Sequence, residues 1–171
     1  MSNSDSWCSP PKIADPLEQF FHGPVDTDPC SNRRSIIRAR QAYTRGGLVL
    51  PWRLDVPIDW SGYQNDPYSK ADAWTTKMLY ELAVGNLQEH VRLCMMSTSS
   101  DWWARQCLEP KRNPRILALR RIAFLDPFAA TKGSERQSCR FEPALLYFGR
   151  RTRAFEREFA HLTRWTTWGR S

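Results

Sequence analysis

The residues of this chain whose types and spacing can do chemistry are Asn65-Asp66-Pro67-Tyr68. An aromatic amino nitrogen is a poor nucleophile because its lone pair is delocalised into the ring. Two acceptors set against its two hydrogens, one an amide oxygen and one a backbone carbonyl, favour a pyramidal nitrogen and localise that pair. Asn65 supplies the amide oxygen and the carbonyl of Asp66 the second acceptor. Pro67 stiffens the loop and holds Asp66 extended. Tyr68 offers a flat face on which an extruded base stacks, worth ~1–3 kcal/mol. The nitrogen then attacks a methyl donor in line, and positioning supplies much of the rate. The same four residue types also make an ordinary turn, so the tetrapeptide takes its meaning from its surroundings. No metal is called for: His22, His90 and His161 lack ligand spacing, and the five Cys contain no C-x-x-C pair.

The loop lies between a strand and a strong helix. A strand over 58–64 leads into it, and a helix over 71–84 follows, with Trp74, Met78, Leu79 and Leu82 at helical spacing. Upstream, a Pro-rich opening segment (1–16) precedes a short helix over 15–21 and an extended Val25–Asp28. Arg33 to Tyr43 reads as a helix with Ile36, Ile37 and Tyr43 inward, ended by Gly46-Gly47, and Leu48 to Trp52 as a strand. Downstream come a buried strand over 91–96, a short helix over 101–108 whose Trp102 and Trp103 read as packing residues, and strands over 115–119 and 144–148. A basic loop spans 126–140, a basic helix runs over 151–161, and an edge strand lies over 162–168. Strands alternating with helices predict an α/β fold, one domain over 1–171, with helices on both faces of the sheet. Ligands of such folds sit beyond the carboxyl ends of the strands.

Several stretches, in order, resemble the phage-encoded DNA N6-adenine methyltransferases, small S-adenosylmethionine-dependent enzymes with an N-P-P-Y catalytic loop. Trp7-Cys8-Ser9-Pro10-Pro11 is similar to the family's opening W-x-T-P, and Val25 to Cys30 to its D-x-D-x-C-A segment. Gly46-Gly47-Leu48 with Trp52 is similar to D-G-L…W, Ser97 to Trp103 to a strand end followed by T-x-W-W, Arg121 to Phe124 to R-I-x-F, and Ala144 to Gly149 to the closing apolar strand. The resemblance runs over most of the chain. It implies a Rossmann-like methyltransferase sheet, catalysis by Asn65, Asp66, Pro67 and Tyr68, and S-adenosylmethionine held by Trp7, Ser9, Pro10, Pro11, Asp26, Asp28, Pro29 and Cys30. Asp28 is then the acid that meets the cofactor's amino or ribose groups. Asp26 and Asp28 also suit a capping role. The chain departs from the pattern at Asp66, where the family has Pro, and at Gly46, where it has Asp, and no G-x-G run follows the first strand. The carbonyl survives any residue at 66, so an Asp66 side chain turned out to solvent is expected, with methylation persisting and Asp66→Pro leaving it unchanged or raising it.

Charge points to the partner. The 171 residues carry a net charge of +7, and 20 of the 25 basic residues are Arg. Residues 1–100 sum to −1 and 101–171 to +8. Arg-rich surfaces suit phosphate, which the guanidinium fork binds bidentately. Double-stranded DNA is the expected partner, through Arg120, Arg121, Lys132, Arg136 and Arg140, with phosphate rather than base-specific contacts. Arg150, Arg151, Arg153 and Arg157 form a second basic face. Only 34 residues lie between Cys30 and Asn65, leaving no room for a separate recognition domain. Apolar content of 41% excludes general disorder. No run is long enough to span a bilayer and no export signal opens the chain, so a cytoplasmic protein is expected; the resemblance implies a bacterial host cell, if the chain is phage- or prophage-encoded. Two other readings compete with adenine methylation: a methyltransferase-like fold that only binds nucleic acid or protein, and transfer to another amino group.

Overall fold

Alternation along the central strand decides the layering. In a computed structural model that describes residues 7–53, 60–107, 113–126, 136–138 and 141–167, strand β4 spans Glu89–Met95. Its Val91 and Leu93 join one apolar cluster, and Cys94 joins another on the opposite face. Strand β8 (Pro143–Phe148) alternates in step with it, Leu145 and Tyr147 on the first face and Ala144, Leu146 and Phe148 on the second.

Helices cover both faces. On the first lie α1 (Pro11–Phe21) and α4 (Thr152–Phe159), which bury Ile13, Leu17, Phe20, Phe155 and Phe159. On the second lie α2 (Ala71–Ala83) and α3 (Asp101–Cys107), which bury Trp74, Met78, Leu79 and Trp103. Helix α1 starts where Pro11 occupies its first turn, a position whose N–H has no helical partner anyway. It ends at His22, held left-handed with φ 58°, whose N–H reaches the Gln19 carbonyl.

The sheet is mixed and seven-stranded, in the order β2-β1-β3-β4-β8-β5-β9. Strands β1 (Val25–Asp28), β2 (Ala39–Ala42), β3 (Ser61–Gln64) and β4 run parallel. Strand β8 is antiparallel to both neighbours, so β5 (Arg115–Leu119) runs with the parallel set, and β9 (Thr163–Thr167) closes the edge antiparallel to β5. A separate ribbon pairs β6 (Ala123–Leu125) with β7 (Arg136–Ser138). Cys8 bridges to Leu125 through reciprocal backbone bonds of 3.0 and 2.9 Å, which lays the opening segment against that ribbon.

Three sequence expectations are corrected. Residues 33–43 are not a helix but a loop leading into β2. Asn32 Oδ1 accepts the Arg34 N–H at 2.8 Å and Ser35 Oγ accepts that of Ile37 at 3.2 Å, local bonds that compete with helical ones. Residues 48–52 are a turn rather than a strand, because Gly46 (φ 78°) lets its carbonyl accept both the Val49 and Leu50 N–H groups. Val49 and Leu50 consequently stand exposed. The basic stretch 126–140 is not wholly loop, since it contributes β7. No described helix is long and apolar enough to cross a membrane.

Candidate active site

Strand β1 sits between β2 and β3, so the chain leaves it first to one side and later returns on the other. The carboxyl ends of β1 and β3 therefore flank the point where strand order reverses, where an open α/β sheet leaves a crevice. Asp28 closes β1, and Asn65 follows β3 directly.

The opening segment folds back onto this crevice. Ser9 Oγ and the Tyr63 hydroxyl lie 2.7 Å apart, both residues buried. Asn65 Nδ2 donates to the Trp7 carbonyl at 3.1 Å. That bond takes one of the two amide N–H groups and ties the amide to the opening segment; its Oδ1 is an acceptor. Cys8 Sγ donates to Asn32 Oδ1 at 3.2 Å. The turn at Gly47 closes the β1 side: a Cβ there would stand 1.9 Å from the Pro29 carbonyl oxygen, an approach only glycine permits. Pro10 and Pro11 start α1, with Pro10 buried and Pro11 exposed.

Asp28 is buried, with Oδ1 accepting the Cys30 N–H at 3.1 Å. Desolvation pushes its carboxyl up to about 7, against the smaller opposing pull of that bond and of the Ser31 side chain. Desolvation, followed by the nearby Asp66 and Asp28 carboxyls, raises the Cys30 thiol well above its ordinary value, so it is no nucleophile. Asp26 stands apart. Its carboxylate accepts the Ser61 N–H and hydroxyl at 2.8 and 2.7 Å, and it lines a cleft at the amino edge with Arg40, Glu89 and Arg151.

Asp66 is the largest departure from expectation. Its side chain is not turned to solvent but fully buried. Arg92 grips it as a fork, Nε to Oδ1 and Nη2 to Oδ2, both at 2.8 Å. Gln64 Nε2 adds a bond of 2.9 Å to Oδ1. Arg92 gives its other N–H groups to Thr75 Oγ1 and Gln106 Oε1, each at 2.6 Å, and to the Ala71 carbonyl at 3.3 Å. All five guanidinium donors thus have acceptors, and the group lies 5.3 Å from the Trp102 ring centroid. His90 Nε2 meets Gln64 Oε1 at 3.2 Å, and burial lowers its ring to about 3, so it stays neutral. The signal for this network was the one charge inside the apolar run 91–96: a fully buried Arg requires a carboxylate partner.

Pro67 leads into a 3-10 turn, Tyr68–Lys70, that joins the loop to α2. The Tyr68 ring packs edge-on against Phe141 at 4.6 Å and against Phe124 at 6.5 Å. Arg120 and Arg121 are exposed just past β5. Arg136 opens β7, while Lys132 and Arg140 lie outside the described residues. Among the described residues, no group of His, Cys, Asp and Glu is arranged to hold a metal.

The structure thus brings Trp7, Ser9, Asp28, Pro29, Cys30, Asn65 and Asp66 to one edge of the sheet and leaves Asp26 at the other. An amide oxygen, a restrained loop carbonyl and a buried acid at such an edge can hold an amino group and a cationic ligand. Comparison with protein-family models gives no match, and neither does comparison with curated proteins.

Proposed function

We propose that this chain is an S-adenosylmethionine-dependent methyltransferase of adenine N6 in double-stranded DNA, built on a Rossmann-like sheet. One observation carries the reading. Three segments distant in sequence (7–9, 28–30 and 65–68) meet at the reversal point of the sheet, with the Asn65 amide oriented by the Trp7 carbonyl. Chance turns of N-D-P-Y composition have no reason to sit there.

The residues fit the cofactor. Asp28 is a buried acid poised near neutrality beside the backbone of Pro29 and Cys30, suited to a ligand that brings its own positive charge. The tight packing of Gly47 on Pro29 fixes the wall of that cradle. When bound, the cofactor supplies the sulfonium methyl. Asn65 Oδ1 and the Asp66 carbonyl accept the two amino hydrogens and orient the nitrogen. Pro67 restrains the direction of that carbonyl, and Tyr68 offers its ring to the base. The Asp66 charge, neutralised by Arg92, does not disturb the sulfonium site.

Purified protein incubated with labelled S-adenosylmethionine and mixed DNA should yield N6-methyladenine by nucleoside mass spectrometry. N4-methylcytosine would transfer the reading to another amino acceptor. Cofactor binding without any methylated nucleoside would leave a binding module.

A further inference from the structure

Beside Tyr68, on the same edge of the sheet, opens a groove that the proposed chemistry does not use. Arg120 and Arg121 line it after β5, Phe141–Pro143 ahead of β8, and Arg164 from β9, around a volume of about 540 Å³. The pairings Met95 with Pro143 and Leu119 with Thr163 set it at the carboxyl ends of β4 and β5, level with Asn65. Phe141 joins the two places, since its ring packs on Tyr68 at 4.6 Å.

The charges in the groove are uncommitted. Arg120 and Arg121 are exposed, and among the described residues neither guanidinium has a hydrogen bond or ion pair. Among the described residues Arg164 reaches only Glu142, at 3.4 Å, with side chains 65% and 66% exposed. Such a pair is worth little in water and exchanges readily for a phosphate, which the planar fork holds better. The Glu142 backbone is fixed independently, its carbonyl accepting the Met96 N–H at 2.8 Å.

We infer that this groove takes the phosphodiester backbone flanking the nucleotide at Tyr68, and that Glu142 holds Arg164 in place until a phosphate displaces it. The position of that nucleotide rests on the proposed function; the preference for a polyanion rests on the three guanidiniums and the aromatic floor.

The test is fluorescence anisotropy of a labelled adenine-containing duplex, without cofactor, across a sodium chloride series. Arg164→Gln and Arg120→Gln should each lower the slope of log affinity against log salt by about 0.9. Glu142→Gln should act in the opposite direction and tighten binding several-fold, a sign that a merely structural role does not produce. Arg38→Gln, at the amino edge, should change nothing. The inference falls if the wild type fails to bind duplex at low salt, if the Arg164 and Glu142 variants both bind as wild type, or if polyglutamate competes as well as duplex does. Binding with these slopes but without methylation would keep the groove and remove the methyltransferase. Methylation with unmoved slopes would do the reverse.

Discussion

Asp66 and Arg92 meet through two bonds of 2.8 Å with neither side chain exposed to solvent. A loop residue that departs from the resembling pattern is thereby anchored to the middle of the sheet. Removing one partner leaves an uncompensated buried charge, which costs about 3–5 kcal/mol. Arg92→Met and Asp66→Pro should both destabilise by that order in urea unfolding, because the Asp66 side chain is paired in the interior rather than turned to solvent as the sequence suggested. Asp66→Asn combined with Arg92→Gln should recover part of the loss. Single variants within about 1 kcal/mol of wild type would contradict the pairing.

Asn65 makes a single bond to the Trp7 carbonyl and is only half-buried. Asn65→Ala should cost about 1 kcal/mol of stability. Methylation should drop at least 100-fold, on the order of the loss of one preorganised polar group. Cofactor-induced stabilisation should persist. Retained methylation would show that the loop is not the site.

Asp28 should make the proposed cofactor binding pH-dependent. Its carboxyl stands at about 7 in the fold, against about 4 in an unfolded chain. The folded state therefore holds the extra proton across that window, and stability falls as pH rises from about 4 to about 7, with no further loss above. A bound cation favours the ionised form, so S-adenosylmethionine affinity should climb with pH through 7 and then level. Asp28→Asn should flatten both profiles, weaken the cofactor and raise stability at pH 8. Calorimetry and melting scans from pH 5 to 9 measure both, and a wild-type affinity independent of pH would refute the coupling.

The thiols of Cys30, Cys94 and Cys107 should be inert. Desolvation raises all three, Cys94 to about 12. Iodoacetamide at pH 8 should leave them unmodified in the native protein and alkylate them in urea, as read by peptide mass spectrometry. Rapid native labelling of Cys30 would mean that the crevice is more polar than its packing implies.

Gly47→Ala should be costly despite the absence of an unusual φ at that position. The new methyl would strike the Pro29 carbonyl, a backbone atom that cannot swing aside. The expected loss is about 1–3 kcal/mol, together with weaker cofactor binding. An unperturbed melt would show that the loop after β1 is free to shift.

What could be read in the sequence was whatever rested on local periodicity. Helix α2 declared itself by Trp74, Met78 and Leu79, and β5 by its apolar run from Arg115 to Leu119. The N-D-P-Y loop fell where expected, between strand and helix. Periodicity misled between 33 and 52, where Asn32, Ser35 and Gly46 impose turns through their own side chains or backbone freedom. The environment of Asp66 was illegible from the loop itself, because its partner lies on β4, a strand that approaches only once β3 and β4 have paired.

Arg151 spans the molecule from the opposite side: Nη1 donates to the Phe20 carbonyl at 3.0 Å, Nε and Nη2 to Glu89, and its guanidinium lies 4.3 Å from the Phe20 ring centroid. The first helix is thus fastened by a residue that the ribosome adds 131 positions later. Strand β4 likewise has β8 as one of its two neighbours. During synthesis the crevice formed by residues 7–68 therefore has no finished floor until residue 151 has emerged. Nascent chains stalled before that point should present the Asn65 loop without a rigid frame, and acquisition of ligand binding should be a late event in translation.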